Sequence, residues 1–296
     1  MNDKLKAPFT EGEVKRALFQ MHPTKAPGLD GFSALFCQNN WAIVGNDVTR
    51  EVLEVLNNGR LDVRLNETLI VLIPKVKVAE RVEDLRPISL CNVVMKIITK
   101  ALTNRLKEVL PTIISQNQSA FIGGRLITDN ILIAHEVSHF IRGINKQKKG
   151  YISMKLDMSK AYDRVEWVFL ERMMDAMGFA HEWIKKIMLC VKTVSYKVKV
   201  NGSITEEIKP SCGLRQGDPI SRYLFLICAE WLTHTLAILP KNRYKNPKTY
   251  KLRLGEGFLS INHSTKFEDG SRGEGEAFDE RRDFLTTFYV FFHDYV

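Results

Sequence analysis

An aspartate that ends an alternating strand is the residue in this chain best placed to do chemistry. Ile152, Met154 and Leu156 alternate with polar neighbours, and Asp157 follows directly. Period-two alternation predicts a half-buried strand, and the carboxyl ends of strands open onto the crevices where ligands bind. The carboxylate of Asp157 could therefore face a metal ion or a ligand. A carboxylate that only caps the following helix would give the same pattern.

The composition is that of a folded protein with a basic surface. The 296 residues are 45% hydrophobic, which is ordinary for a core of one large domain or two modest ones. Forty-three lysine and arginine residues against 34 aspartate and glutamate residues give a formal net charge of +9. This excess suits a polyanionic partner without proving one.

The cysteines and the apolar runs bear on the compartment. The five cysteines include no CxxC pair, which argues against a disulfide framework or a zinc ribbon and favours a reducing compartment. The N-terminal residues have no apolar signal region, and no run is long and apolar enough to span a bilayer comfortably. We therefore expect an intracellular protein of the cytoplasm or nucleus, with no membrane partner.

Helical and strand patterns both occur along the chain, which indicates a mixture of α and β structure. A capping box at Thr10 and Glu13 begins the first helix, and Pro111 is expected to stop a long apolar one. Asn201-Gly202 predicts a type I′ hairpin turn. Hydrophobic spacing predicts helices near residues 10–21, 44–56, 90–110, 165–177, 181–192 and 223–239, and strands near 68–75, 152–156, 196–200 and 204–208.

The composition changes beyond about Pro240. Residues 266–284 are charged, rich in glycine and without periodicity, and the apolar residues 285–296 have nothing after them to pair with. We expect residues 240–296 to form an atypical tail that is disordered or loosely attached.

Four segments, in order, carry a resemblance to a known family. They are KAPGLDG, LIPK with LRPISL, KLDMSKAYD, and GLRQGDPIS followed by YLF. Together they resemble the reverse transcriptase domain of non-LTR (LINE-type) retrotransposons, most like those of plant genomes, from about Lys25 to Leu232. The resemblance implies an α+β right-hand polymerase with fingers over about 1–150 and an incomplete palm over about 151–239, without a thumb.

The resemblance also implies a two-metal reaction that joins dNTPs to a primer 3′-hydroxyl. Asp157 matches the family's first metal-binding aspartate, and Met158 would offer its backbone carbonyl to the second of two Mg²⁺ ions. Such hard cations prefer oxygen ligands, and a metal pair relieves charge on the attacking oxygen and the leaving pyrophosphate.

Further roles follow from matching this sequence to the family's motifs. Lys75 and Arg86 match residues that grip the triphosphate, where a point charge and a bidentate fork suit phosphate oxygens. Tyr162 matches an aromatic gate against ribonucleotides. Gln216 and Gly217 match the loop that lies against the nascent base pair.

Two arginines are candidates for template contacts. Arg215 could contact a template phosphate, and Arg125 matches a family block near the template. The partners implied are an RNA template, a DNA primer and dNTPs, while the oligomeric state stays open.

The sequence departs from the family at one essential place. The family's aromatic-Ala-Asp-Asp signature is missing, and no Asp-Asp pair occurs. The most similar segment is FFHDYV, which contains Asp294. Arg222 stands where the family usually has proline. The chain is therefore expected to be an inactive reverse transcriptase domain, truncated before the second signature. Alternatives are a catalytically dead remnant that only binds nucleic acid, or a protein similar to a group II intron maturase.

Overall fold

The computed structural model describes residues 1–143, 151–156, 158, 160–238, 249–254, 257–262 and 285–290. The helices in this part of the chain are α1 (Asn2–Lys6), α2 (Glu11–Phe19), α3 (Ala34–Asn39), α4 (Trp41–Asn58), α5 (Val93–Ile113), α6 (Ile127–Gly143), α7 (Trp167–Ala176), α8 (His181–Lys192) and α9 (Ser221–Ile238). The strands are β1 (Glu67–Pro74), β2 (Leu85–Cys91), β3 (Tyr151–Leu156), β4 (Ser195–Val200), β5 (Ser203–Ile204), β6 (Thr249–Leu254), β7 (Gly257–Asn262) and β8 (Leu285–Val290).

The largest sheet in the described residues has four strands in the order β2-β1-β4-β5. β1 pairs with β2 in antiparallel fashion and with β4 in parallel. Strands from distant parts of the sequence thus meet in one sheet. The prediction of a mixed α and β architecture is confirmed.

The chain divides into two compact units. The first contains residues 1–123 and 160–231, and the second contains 124–159 and 232–296. These limits differ from the division into fingers and palm that the sequence suggested, which stays a prediction.

Helix α5 forms the centre of the first unit. Its apolar face is buried, and α2 and α4 pack against it. The capping box of α2 is present: the Thr10 hydroxyl accepts from the Glu13 backbone N–H at 3.4 Å, and the Glu13 carboxylate accepts from the Thr10 N–H at 2.9 Å. The buried side chains that α5 contributes to the core include Met95, Ile97, Ile98, Leu102, Leu106 and Leu110.

Helix α5 ends three residues later than the predicted end at Leu110. Pro111 lies within its last turn, and the helix continues to Ile113. A proline removes one backbone donor and crowds the preceding turn, but near a helix end few further hydrogen bonds are lost. The prediction that Pro111 stops the helix was wrong by this margin.

Strand β2 and helix α6 were not predicted from the sequence. β2 contains Pro87, which normally counts against a strand. It lies at an edge of the sheet, however, where a strand needs hydrogen bonds on one side only.

The β4–β5 hairpin has the predicted turn. Asn201 and Gly202 adopt φ values of 50° and 86°, as a type I′ turn requires. The return strand covers only Ser203–Ile204, with one further bridge between Tyr196 and Ile208, so it is shorter than predicted.

The second unit contains two separate strand pairs. β3 pairs in parallel with β8, with Leu156 opposite Val290, and β6 pairs with β7. The final apolar segment therefore pairs with an earlier strand, which the sequence pattern did not indicate. The disorder predicted for the rest of the tail stays a prediction. Among the described residues, no helix is both long and apolar enough to cross a membrane.

Candidate functional site

The predicted metal ligands follow strand β3 in the sequence. Asp157 follows Leu156 in the chain but is outside the described residues, as is Asp294, and Met158 is half-buried. In the part of the chain that the structure describes, no three His, Cys, Asp or Glu side chains come together as a ligand group. The metal site therefore stays a prediction.

The KAPGLDG turn is docked on the beginning of helix α5. A Cβ atom at Gly28 would lie 2.3 Å from the Asn92 Oδ1 atom, so only glycine fits there. The same Oδ1 accepts from the Asp30 backbone N–H at 3.2 Å, and the Lys96 ammonium donates to the Ala26 carbonyl at 2.7 Å. Burial lowers the pKa of Lys96 and raises the pKa of Asp30. The turn is thus held by partly buried polar contacts.

Lys75 and Arg86 lie on the same face of the β1–β2 hairpin. Ile73 is the cross-strand partner of Arg86, and the Lys75 backbone N–H donates to the Asp84 carbonyl at 2.7 Å, which continues the pairing. Cross-strand partners share a face, and so do residues two apart. Lys75 is exposed, with its ammonium 3.2 Å from the Glu83 carbonyl, and Arg86 is half-buried. The register therefore places these two cations on one face of the hairpin.

The Gln216–Gly217 loop lies along the open edge of β2. The Ser89 backbone N–H donates to the Gln216 carbonyl at 2.8 Å. Gly217 has a φ of 118°, and a Cβ atom there would lie 2.9 Å from the Ser89 carbonyl oxygen. The loop is held against the strand that carries Arg86.

The other end of this loop binds the segment around Tyr162. The Leu214 N–H donates to the Tyr162 carbonyl at 2.9 Å, and the Gly213 N–H donates to the Val165 carbonyl at 2.8 Å. The Trp167 indole donates to the Gly213 carbonyl, also at 2.8 Å. Three of the four motifs are thereby joined to each other, and KAPGLDG joins them through Asn92, the residue after β2.

The Tyr162 ring is buried. It is 8% exposed and stacks on Phe225 of α9, with centroids 5.3 Å apart and planes 15° apart. Packing against α9 accounts for the ring's position, and its role as a gate stays a prediction.

Arg215 does not have the environment expected for a template contact. It is 5% exposed, forms an ion pair with Asp218 and donates to Asn66, Thr68 and the Cys190 carbonyl. Burial works to lower the pKa of Arg215, but Asp218 and other neighbours outweigh it and raise that pKa. Because the guanidinium is enclosed by these partners, we assign Arg215 to holding the loop in place instead of binding phosphate.

Arg125 belongs to the second unit. It is half-buried just before α6. Its contact with a template stays a prediction.

Sequence reasoning missed the polar residues that connect the motifs. Asn92, Ser89 and Asp218 are all buried. A polar residue between a strand and an apolar helix was a usable signal at Asn92, since that position usually caps a helix. Its side chain instead binds the Asp30 N–H and donates to the Leu65 carbonyl at 3.2 Å.

Comparisons with known proteins bear on the family of this chain. The family model described as reverse transcriptase (RNA-dependent DNA polymerase) matches residues 73–244. The transposon TX1 uncharacterized 149 kDa protein of Xenopus laevis is 32% identical over 228 residues, which is 77% of this chain and 17% of that protein.

Two further relatives are retrovirus-related Pol polyproteins. That of the type-1 retrotransposable element R2 of Popillia japonica is 26% identical over 79% of this chain and 31% of its own length. That of the type-2 element R2DM of Drosophila melanogaster is 25% identical over 77% of this chain and 21% of its own length. The chain thus spans less than a third of the length of these relatives.

Proposed function

The chain belongs to the reverse transcriptase (RNA-dependent DNA polymerase) family and is a reverse transcriptase domain of a non-LTR retrotransposon, and from this premise we propose that it binds a dNTP and a primer on an RNA template but does not extend the primer by itself. The observation that carries the proposal is the continuous run of contacts from KAPGLDG through β2 and the Gln216 loop to Tyr162.

The nucleotide phosphates are held by the β1–β2 hairpin. Lys75 provides a compact charge and Arg86 a planar fork, which suit adjacent phosphate oxygens. Their shared face supports this role, because two cations on one face of a hairpin can reach the same triphosphate. The Lys75 ammonium is 3.2 Å from the Glu83 carbonyl, and a phosphate oxygen would replace this contact on binding.

The Gln216–Gly217 loop positions the base pair. The glycine lets a backbone approach closely, and the amide of Gln216 can both donate and accept at a base edge. The buried ion pair of Arg215 and Asp218 holds the loop on its interior side. Tyr162, bonded through its carbonyl to Leu214, moves with the same loop and limits the space beside the sugar.

Asp157 and the Met158 carbonyl are oxygen donors of the kind that Mg²⁺ prefers, and the metal supplies charge relief for phosphoryl transfer when it is bound. The sequence has no Asp-Asp pair of the kind that completes the metal site in the family. We therefore propose that turnover by this polypeptide is lower than that of a complete site by many orders of magnitude.

Primer extension and nucleotide binding test the two halves of the proposal separately. Purified chain is given an RNA template, a DNA primer, dNTPs and Mg²⁺, beside Asp157→Asn and Asp294→Asn. We expect no extension by any of the three. Extension by the wild type that disappears in Asp157→Asn would contradict the proposed inactivity, and its loss in Asp294→Asn would identify the second carboxylate.

Nucleotide binding is measured on Lys75→Gln and Arg86→Gln, with Lys77→Gln as the matched control. Lys77 is exposed and two residues beyond Lys75. We expect the first two variants to weaken dNTP binding by about tenfold or more, since a charged hydrogen bond contributes roughly 1.5–3 kcal/mol. An equal effect of Lys77→Gln would contradict the assignment.

A further inference from the structure

Two cations from distant parts of the sequence share one aromatic ring. The Lys107 ammonium of α5 is 5.5 Å from the centre of the Tyr223 ring, and the Arg222 guanidinium of α9 is 5.1 Å from it. Arg222 also lies 5.4 Å from the Phe121 ring, which meets Tyr223 edge-on at 6.5 Å. Both cations are within the range of a cation–π interaction. The fold therefore brings like charges together.

Lys100 extends the same surface. It precedes Lys107 by two helical turns on α5, so both side chains are on one side of the helix. Burial lowers the pKa of Lys100, and the charges of Lys107, Arg222 and Lys25 lower it further, which places these groups near one another. We call Lys100, Lys107 and Arg222 the α5–α9 cationic face.

The charges of this face are not neutralised within the described part of the chain. No ion pair joins Lys100, Lys107 or Arg222 to a carboxylate there. Lys107 is exposed, and Arg222 and Lys100 are half-exposed, so all three can meet a ligand from solvent. Repulsion among them would be relieved by an anion with regularly spaced charges.

The aromatic rings hold the cations in place. Tyr223 is 2% exposed, so its ring supports the two cations and is not a surface for a base to stack on. Phe121 has a φ of 61°, a left-handed conformation that is rare for a bulky residue. Such conformations persist where the surroundings enforce them and often occur at ligand sites. The ring contacts therefore favour one placement of the Lys107 and Arg222 charges.

We propose that the α5–α9 cationic face is a contact for the phosphate backbone of a nucleic-acid strand, additional to the nucleotide grip at Lys75 and Arg86. The partner class rests on the proposed function. The contact depends on the charge and spacing of the phosphates and not on the base sequence, because cations bound to a backbone do not contact the bases.

The test compares salt-dependent binding by the wild type and two triple variants. The full chain is titrated into fluorescent single-stranded RNA, and into DNA of the same sequence, over a range of salt. One variant is Lys100→Gln, Lys107→Gln and Arg222→Gln. The control, Lys15→Gln, Arg16→Gln and Lys185→Gln, removes the same charges from exposed positions of α2 and α8.

We expect the face variant to bind at least about tenfold more weakly at low salt. Its plot of log affinity against log salt should be shallower by about 2, since each lost contact with a single strand removes roughly 0.7 from the slope. The control should change the slope by much less. Equal losses in both variants, or no binding by the wild type, would overturn the proposal.

Arginine substitutions serve as a control that separates loss of charge from loss of folding. Lys100→Arg with Lys107→Arg keeps the charges and should keep the affinity, and thermal melting should show that every variant folds. A loss on RNA and DNA alike identifies a general backbone contact, and a loss on RNA alone identifies the template strand. Dependence of RNA binding on the face, without effects of Lys75→Gln on dNTP binding, would support this inference while contradicting the proposed nucleotide grip.

Discussion

Gly217 approaches Ser89 so closely that a Cβ atom at position 217 would lie 2.9 Å from the Ser89 carbonyl oxygen. One residue earlier, the Gln216 carbonyl accepts from the Ser89 N–H at 2.8 Å. Backbone atoms, not flexible side chains, thus set the distance between the loop and β2. Because β2 also carries Arg86, this contact couples the position of the Gln216 amide to the predicted phosphate grip.

Gly217→Ala should break this coupling. Its φ of 118° is strained for any L-residue, and the clash is with backbone, which cannot move aside cheaply. We expect a loss of about 1–3 kcal/mol in unfolding free energy and weaker dNTP binding. Both are measured on purified variants by urea unfolding and nucleotide titration.

Gly59→Ala is the control for Gly217→Ala. Gly59 ends α4 with a φ of 71° and has open space around a Cβ atom. Its substitution should cost roughly 1 kcal/mol for the left-handed backbone and leave dNTP binding unchanged. Unchanged nucleotide binding in Gly217→Ala would show that the loop does not need its place against Ser89.

Gly28→Ala should detach the KAPGLDG turn from α5. The added Cβ would meet the side chain and the backbone nitrogen of Asn92 at 2.3 and 2.5 Å. We expect a loss of about 1–3 kcal/mol, the usual cost of overpacking, in urea unfolding. Gly123→Ala, where nothing lies within 4 Å, should be nearly neutral, and similar losses in both variants would argue against the close packing described here.

The buried ion pair of Arg215 and Asp218 should show strong coupling. Asp218→Leu leaves an enclosed guanidinium without its counter-charge, which costs about 3–5 kcal/mol. The double variant Arg215→Met with Asp218→Leu removes both charges and should recover most of this loss. A double-mutant cycle of unfolding free energies checks it, and simple additivity of the two single changes would contradict the pairing.

Local pattern predicted much of this fold, and tertiary contacts decided the rest. The capping box at Thr10 and the turn at Asn201-Gly202 were recognisable because short-range hydrogen bonds and φ requirements fix them. Strand β2 was not, because Pro87 is tolerated only through its place at a sheet edge, which depends on β1. Pairing of β8 with β3 likewise joins residues more than a hundred positions apart.

Prediction of the candidate site from the sequence was limited in the same way, by contacts between remote segments. Motif residues such as Lys75 and Gln216 could be selected from the sequence, but the burial of Arg215 could not, since its partners Asn66 and Cys190 come from remote segments. An arginine beside a glutamine in a polar loop is typical of an exposed cation.

The Glu13–Arg105 ion pair should make stability depend on acid pH. The guanidinium donates to both carboxylate oxygens, at 2.7 and 2.8 Å. Burial works to raise the pKa of Glu13, but hydrogen bonds from Arg105 and Thr10 outweigh it, so the pKa lies below its usual range. Its stabilising contribution is therefore complete above the unfolded-state pKa and disappears as pH falls through the lower, folded-state value.

Urea unfolding from neutral to strongly acid pH tests this dependence. Glu13→Gln should be less stable than the wild type by about 1–3 kcal/mol near neutral pH, and the two curves should converge in acid. The control Glu11→Gln changes an exposed carboxylate in the same helical turn. A stability difference for Glu13→Gln that stays constant down to strong acid would rule out the ionic contribution.

Thiol labelling should find one reactive cysteine in the folded chain. Cys37, Cys91, Cys190 and Cys228 are buried, and burial raises the pKa of Cys190 and of Cys228 to about 12. Thiolates are the reactive form, so these groups should react slowly at mildly alkaline pH. Cys212 is half-buried, beside the loop that joins Tyr162 to Gln216.

With a small disulfide reagent, we expect one thiol per folded chain to react fast, and this fast reaction should be absent in Cys212→Ser. After unfolding in urea, all five cysteines should react. A second fast thiol that survives Cys212→Ser would mean that the core around one of the four buried cysteines is open. The Cys212 rate also reports on the loop, because its Sγ lies 3.5 Å from the Asp163 carbonyl while the loop is docked. Gly217→Ala should accelerate it if the Ser89 contact holds the loop closed.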